Sequence, residues 1–348
     1  MGKNEKLPFL KIKGTPEEIG FQHGSHFKDR VQACFDFYTK SLFQKPNFDF
    51  SKHGEAYLDL IGKYFPHYRQ EIEGLARGAE MEPWQISVLN SRTEIFLQAN
   101  KERLHQVSEC TSLYYGNPPM LAQNWDWLMP LEELFVLLEI EREDGHRILM
   151  MTEPGIIGKI GLNNAGVGLC LNILIGKEAL MGMPIHILLR MMLDCATAEE
   201  ARESLRTLPM GSYSHVFLGD DSGAFYSLEF GGKIIDEVDY YQLTPIHTNH
   251  YLEGSVDDSN TEVYLDSRAR MTRVRQLTSG LTECDVDRLK NILLDTQGGD
   301  KAICKDWMPI WHLKHGTVAT LVLDLKKRSM HISKGQPLHS SFQEFSVK

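Results

Sequence analysis

Cys110 stands in front of a short apolar run, Leu113-Tyr114-Tyr115. The turn Gly116-Asn-Pro-Pro119 follows, and then Gln123-Asn-Trp-Asp126. Its neighbours Ser108, Glu109, Thr111 and Ser112 are polar. Cys34, Cys170, Cys195, Cys284 and Cys304 lie in apolar or helical stretches and read as small buried hydrophobes. A thiol attacks as its thiolate, and an ordinary pKa of about 8.5 calls for a base or a positive environment beside it. One of the 14 histidines is one solution. The other is a cut immediately before Cys110. The freed α-amine titrates near 7.7–8.0, far below a lysine's roughly 10.4, and can act as the cysteine's own base. Such a residue must head a strand, so that the new N-terminus projects from a sheet edge into a pocket. Cys110 sits at such a place.

The elements around it fall into two blocks. Up to about residue 107 the pattern is helical. A first helix starts with Thr15 as N-cap and Pro16 at its first position, and carries Ile19, Phe27, Val31, Cys34, Phe35 and Tyr38. A second carries Tyr57, Leu58, Ile61, Phe65, Tyr68, Ile72 and Leu75, and a third runs from Pro83 through Phe96. From Cys110 onward strands dominate: 111–115, 120–125, 134–142, 147–152, 158–163 and 166–173. Helices at 184–195 and 197–206 follow, then strands at 215–219, 224–230, 233–237 and 241–248. Helices at 261–279 and 286–294 precede a last hairpin, 318–325 with 328–333. This order predicts an α+β layered sandwich. The boundary near residue 108 is the one strong internal division.

The whole chain narrows the function classes. Its 348 residues hold 42% hydrophobic and 24% charged residues and carry a net charge of −10. That balance argues against a general nucleic-acid binder, and no apolar run is long enough to span a bilayer. The apolar stretch at the N-terminus is too short for a signal peptide, and Lys6 breaks a myristoylation pattern, so the expected location is cytoplasmic. The scattered cysteines fit neither a disulfide framework nor a structural zinc site. His247-Thr-Asn-His250 follows a predicted strand, where residues three apart face opposite sides, so no metal role is assigned. Pro154-Gly-Ile-Ile-Gly-Lys-Ile-Gly161 lacks the ending of a phosphate loop and reads as a turn feeding a hairpin. Arg92 and Glu94 read as a buried structural ion pair.

Cys110-Thr-Ser with Gln123-Asn-Trp-Asp126 resembles the acyl-coenzyme A:6-aminopenicillanic acid acyltransferases (isopenicillin N acyltransferases), which are self-processing N-terminal nucleophile hydrolases. The likeness continues in Gly14-Thr-Pro-Glu-Glu-Ile-Gly-Phe-Gln-His-Gly24, Asn90-Ser-Arg-Thr-Glu94, Thr152-Glu-Pro-Gly-Ile-Ile-Gly-Lys-Ile-Gly-Leu-Asn163 and His247-Thr-Asn-His250. It therefore covers nearly the whole chain. The resemblance implies a four-layered αββα sandwich and a precursor cut between Glu109 and Cys110. Residues 1–109 would form a helical fragment and 110–348 the catalytic fragment, together one globular unit. One departure is Glu109, where the acyltransferases carry glycine; a carboxylate there could slow or redirect the first acyl shift.

Residue by residue, the resemblance makes Cys110 the nucleophile. Asp126 becomes the carboxylate that holds the new α-amine, and Asn249 the donor to the developing oxyanion. Thr111, Asn124, Ser214 and Thr317 are candidate substrate or oxyanion contacts, with Asn124 given a structural role in orienting the hairpin. The expected enzyme is a cysteine amidohydrolase or acyltransferase acting on small acyl amides or acyl thioesters. It needs no permanent cofactor, and a coenzyme A thioester would be a substrate. The competing classes are an uncleaved Cys/His or metal-dependent hydrolase and a catalytically degenerate binding protein. Beyond the two fragments of its own chain no macromolecular partner is implied, and a homo-oligomer is left open.

Overall fold

The computed structural model describes residues 6–43, 45–99, 110–176, 180–241, 244–253, 261–281 and 283–348. The chain starts with a strand, β1 (Phe9–Gly14), and six helices: α1 (Pro16–His26), α2 (Lys28–Asp36), α3 (Phe50–Tyr64), α4 (Pro66–Ala79), α5 (Pro83–Asn90) and α6 (Arg92–Ala99), with a π-helical turn at Phe37–Leu42. Each of the three expected helices is thus split in two. The first breaks at Phe27, whose backbone (φ −111°, ψ 25°) leaves the helical region. The second breaks at Phe65, because Pro66 disfavours helical backbone before it and starts a new helix. The third breaks at Ser91, with φ −113° and ψ 20°. The capping box at the start of α1 forms as expected, with Thr15 and Glu18 each bonding the other's backbone N–H.

α1 and α4 cross with little between their backbones. A Cβ on Gly20 would lie 1.9 Å from the Glu71 carbonyl oxygen, and one on Gly74 2.2 Å from that of Glu17. Only glycine fits at such a crossing.

The remaining elements, in chain order, are β2 (Thr111–Gly116), β3 (Pro119–Leu128), α7 (Pro130–Leu134), β4 (Val136–Arg142), β5 (Arg147–Thr152), β6 (Ile160–Asn163), β7 (Gly168–Ile173), α8 (Ile185–Leu193), α9 (Ala198–Leu205), β8 (Ser214–Gly219), β9 (Phe225–Gly231), β10 (Ile234–Glu237), β11 (Ile246–His247), α10 (Thr261–Thr278), α11 (Val286–Leu293), β12 (Met308–Ile310), β13 (Leu313–Asp324), β14 (Ser329–Lys334) and β15 (Gln343–Ser346). The expected strand over 241–248 shortens to β11, preceded by Tyr241 at a positive φ of 44°. The strand expected from 134 begins at Val136, because Pro130 opens the short helix α7.

Among the described residues the strands form two sheets. One is eight-stranded in the order β1-β4-β5-β6-β7-β8-β9-β10. The other is seven-stranded, β11-β2-β3-β13-β14-β15, with β12 on β13. The two sheets stack through β2 and β3 against β7 and β8. Helices α8 and α9 cover the first sheet, and α10 and α11 cover the second. This is the expected αββα sandwich. Strands covered on both sides read as continuous apolar runs, and β3 is buried at every position. β1 joins a sheet whose other strands all follow Cys110 in the chain, pairing in parallel with β4 from Phe9↔Leu137 to Gly14↔Arg142. No helix among the described residues is long and apolar enough to cross a membrane.

Candidate active site

Cys110 is the residue before β2 and is buried, with about 3% of its surface exposed. Its carbonyl oxygen accepts from two side chains: Asn172 Nδ2 of β7 at 3.1 Å, and Arg270 Nη1 of α10 at 2.6 Å. The main chain at Cys110 is thereby pinned by one donor from the facing sheet and one from the covering helix. In the β2–β3 ladder Thr111 pairs with Asn124. One further step in that register sets Trp125 opposite Cys110, and Asp126 lies one residue beyond, on the side of the Cys110 nitrogen.

Asp126 is fully buried. Its Oδ1 accepts from Thr317 Oγ at 2.7 Å, across the β3–β13 pair. Its Oδ2 is buried with no hydrogen-bond partner among the described residues. Burial raises its carboxyl from 3.8 to about 6, against the pull of Lys305, Arg270 and the Thr317 hydrogen bond. Lys305 Nζ is taken up by Asp266 Oδ1 at 2.6 Å, and Arg270 Nε by Asp266 Oδ2 at 2.9 Å. The positive charges near Asp126 are therefore shared with a second carboxylate, which is why burial prevails.

Arg270, fully buried, is the hub. It donates to the Cys110 carbonyl, to Thr111 Oγ at 2.8 Å and to Asn249 Oδ1 at 2.8 Å. One guanidinium so brings Cys110, Thr111 and Asn249 together. The Asn249 Nδ2 donates to the Ile173 carbonyl at 2.9 Å, and its backbone N–H to Ser267 Oγ at 2.7 Å. Behind Asn172, His215 donates from Nδ1 to Asn172 Oδ1 at 3.2 Å, and Ser112 Oγ donates to the same oxygen at 2.5 Å. Burial holds the His215 ring well below the usual imidazole range, and it stacks on His247 with centroids 3.5 Å apart. His247 faces Glu229 at 2.7 Å, while His250 turns to Ser267 Oγ at 2.7 Å, so the two histidines go to different neighbours.

Asn124 is committed elsewhere. Its Nδ2 donates to the Leu293 and Ile303 carbonyls at 2.9 and 2.8 Å, and its Oδ1 accepts from Thr320 at 2.7 Å. It ties the covering helix layer to β3. Ser214 is buried at the start of β8, with Ser212 Oγ 3.0 Å away. Thr317 reaches the site through Asp126. Glu109, and with it the expected scissile bond, lies outside the described residues.

The expected Arg92–Glu94 pair is corrected. Arg92 Nη2 instead pairs with Glu153 Oε1 at 2.6 Å, and Glu94 Oε1 accepts from the Ile185 N–H at 2.8 Å. Neighbours on one helical turn can be aimed at different elements, and the strand-end carboxylate of Glu153 also gathers Lys159 and the Tyr38 hydroxyl. Sequence reasoning missed Arg270, Asn172 and Lys159. Arg270 follows Asp266 by four residues, a spacing that reads equally well as an exposed helical ion pair.

A four-layer αββα sandwich with a cysteine heading an inner strand, flanked by a buried aspartate, is the architecture of the N-terminal nucleophile hydrolases. The sequence model of the acyl-coenzyme A:6-aminopenicillanic acid acyl-transferase family matches residues 115–339, and the chain belongs to that family. It is 29% identical over 342 residues to the acyl-coenzyme A:6-aminopenicillanic-acid-acyltransferase 40 kDa form of Emericella nidulans, covering 94% of this chain and 92% of the relative. It is 23% identical to the beta-alanyl-dopamine/carcinine hydrolase of Drosophila melanogaster, covering 96% and 94%. Among solved structures it is similar to the conjugated bile acid hydrolase of Clostridium perfringens (TM-score 0.47, 12% identity, 68% of this chain and 92% of that one). It is also similar to the penicillin V acylase of Agrobacterium tumefaciens (TM-score 0.42, 13% identity, 65% and 82%). The layer order rests on the sheets and helices above rather than on these two likenesses.

Proposed function

We propose that the chain is a self-activating cysteine amidohydrolase and acyltransferase. Its precursor is cut between Glu109 and Cys110, and Cys110 then works as an N-terminal nucleophile. The observation that carries this reading is Asp126, a buried carboxylate on the nitrogen side of Cys110, one oxygen of which has no hydrogen-bond partner among the described residues. A buried carboxylate in want of a donor is met by the ammonium that a cut before Cys110 creates.

In the mature enzyme the neutral α-amine takes the thiol proton. The thiolate adds to an amide or thioester carbonyl, and Asn249 helps to stabilise the oxyanion. The tetrahedral adduct collapses, the α-ammonium returns its proton to the leaving amine or thiol, and an acyl-enzyme remains. Attack by water completes hydrolysis, and attack by an amine completes transfer. The substrates are small acyl amides and acyl thioesters, a coenzyme A thioester among them. The relatives support both outcomes, one being named an acyltransferase and the other a hydrolase. No permanent cofactor enters this chemistry.

Intact mass and N-terminal sequencing of the purified protein test the reading. Two fragments, 1–109 and 110–348, are expected for the natural sequence, and one chain for Cys110→Ala. An uncut protein that turns over acyl amides at full rate would refute it.

A further inference from the structure

Self-cleavage leaves its first step without a base. Before the cut the nitrogen of Cys110 is a peptide amide, so the α-amine of the mature enzyme does not yet exist. Another group has to take the thiol proton.

The turn 153–159, between β5 and β6, is held from several sides. His23 Nε2 of α1 accepts from the Gly155 N–H at 3.3 Å. Asn90 of α5 clasps the turn twice, donating to the Gly155 carbonyl at 2.8 Å and accepting from the Ile157 N–H at 2.9 Å. Arg92 and Tyr38 hold Glu153. From α8, Arg190 donates to the Ile157 carbonyl at 3.1 Å and His186 Nδ1 to that of Gly158 at 3.0 Å.

What this grip delivers is Lys159. Its Nζ sits 3.7 Å from the centroid of a Trp125 ring, the residue set opposite Cys110 by the strand register. Ser112, two residues along, turns its hydroxyl to Asn172 of the facing sheet, and strand alternation sets the Cys110 side chain on that same face. Trp125, the cross-strand partner of Cys110, shares that face, so the thiol and the Lys159 ammonium lie on the same side of β2 and β3. The groups that face Lys159 are Glu153, Arg92 of α6, His186 of α8 and Cys34 of α2. Arg92 is permanently charged. Burial keeps His186 neutral and pushes the Cys34 thiol up. Burial works against ionised Glu153, but Arg92 and Lys159 outweigh it and hold its carboxyl well below the usual range. Burial pushes the Lys159 ammonium down to about 8, with Glu153 opposing.

We infer that Lys159 is the base that takes the thiol proton of Cys110 in the first, self-cleaving attack. The inference rests on the self-activating reading above. The proton passes from Sγ to Lys159 Nζ, and the thiolate forms a bond to the carbonyl carbon of Glu109. The bond from that carbon to the Cys110 nitrogen breaks as the nitrogen takes the proton from Lys159. Water then hydrolyses the thioester to give the Glu109 carboxylate, the thiol and the free α-amine, which is the base from then on. The helical segment thus takes part in the chemistry by holding the lysine's turn.

Full-length Lys159→Gln and Lys159→Arg, followed for fragment formation over time, test this. Both are expected to cut at least about 100-fold more slowly than the natural chain, the usual loss with a general base. Arginine keeps the charge beside Glu153 but cannot accept the proton, so Lys159→Arg should also melt like the natural chain. Natural-rate cutting in either variant overturns the inference. Should a variant fail to fold, the natural chain's cutting rate against pH decides instead. A rise as the lysine loses its proton supports the assignment, and a flat profile from about pH 6 to pH 9 overturns it. A natural chain that never cuts fails the self-activation reading instead. The lysine is then read by iodoacetamide labelling of Cys110 against pH. A higher labelling midpoint in Lys159→Gln supports it, and an unchanged one overturns it.

Discussion

Replacing Asp126 by Asn should change how stability depends on pH more than it changes stability itself. Cys110→Ala is the proper background, since it keeps the chain uncut and no ammonium arrives beside the carboxylate. Burial raises the Asp126 carboxyl from 3.8 to about 6. A raised acid contributes stability that is full below the unfolded value and is lost as pH rises through the folded one. The interval corresponds to roughly 3 kcal/mol at about 1.36 kcal/mol per pH unit. With these two values, roughly 2 kcal/mol of it is lost between about pH 4.5 and about pH 8. Asn cannot titrate, and its Oδ1 can still accept from Thr317. Its NH₂ group, set where Oδ2 has no partner among the described residues, adds an offset that is the same at every pH. Urea unfolding at the two pH values should show Asp126→Asn gaining about 2 kcal/mol on its parent as pH rises. Parallel curves for the two proteins would refute the idea that this carboxylate is held in a desolvated site.

Asn249→Ala should still form both fragments and lose roughly 10²–10³ in kcat through the missing oxyanion donor. Unchanged kinetics would remove Asn249 from the site. Gly20→Ala should lower stability by at least about 1 kcal/mol, because its Cβ would lie 1.9 Å from a backbone oxygen and overpacking outweighs the helix propensity gained. Thermal melts beside Gly62→Ala, whose Cβ would have the movable side chain of Arg69 as its nearest neighbour, would expose an error if both behaved alike.

Several strands in the second half were readable because apolar runs end at glycine or other turn residues; 147–152 coincides with β5. The helix breaks were harder, since apolar spacing continues through Phe27, Phe65 and Ser91 while the backbone does not. β1 was missed although Leu10 and Ile12 alternate with Lys11 and Lys13, because its partner β4 lies far along the chain and a lone short strand carries little local signal. The position of Cys110 at a strand head was legible from its polar neighbours and the turn that follows. The cluster around it was not. Arg270, Asn172 and Lys159 come from a helix, a facing strand and a turn, and only the stacking of the two sheets makes them neighbours.

The parallel pairing of β1 with β4 has a consequence for how the halves part. A chain cut before Cys110 keeps a strand of its first fragment hydrogen-bonded into the sheet of the second. Pulling the fragments apart would strip the outermost strand and bare the edge of β4, with Leu137, Leu138 and Ile140 along it. A long apolar edge with unpaired N–H and C=O groups is a template for pairing with other chains. In a chain so cut the smaller fragment would guard the larger against aggregation, and the larger one purified alone is expected to precipitate rather than persist as a soluble half.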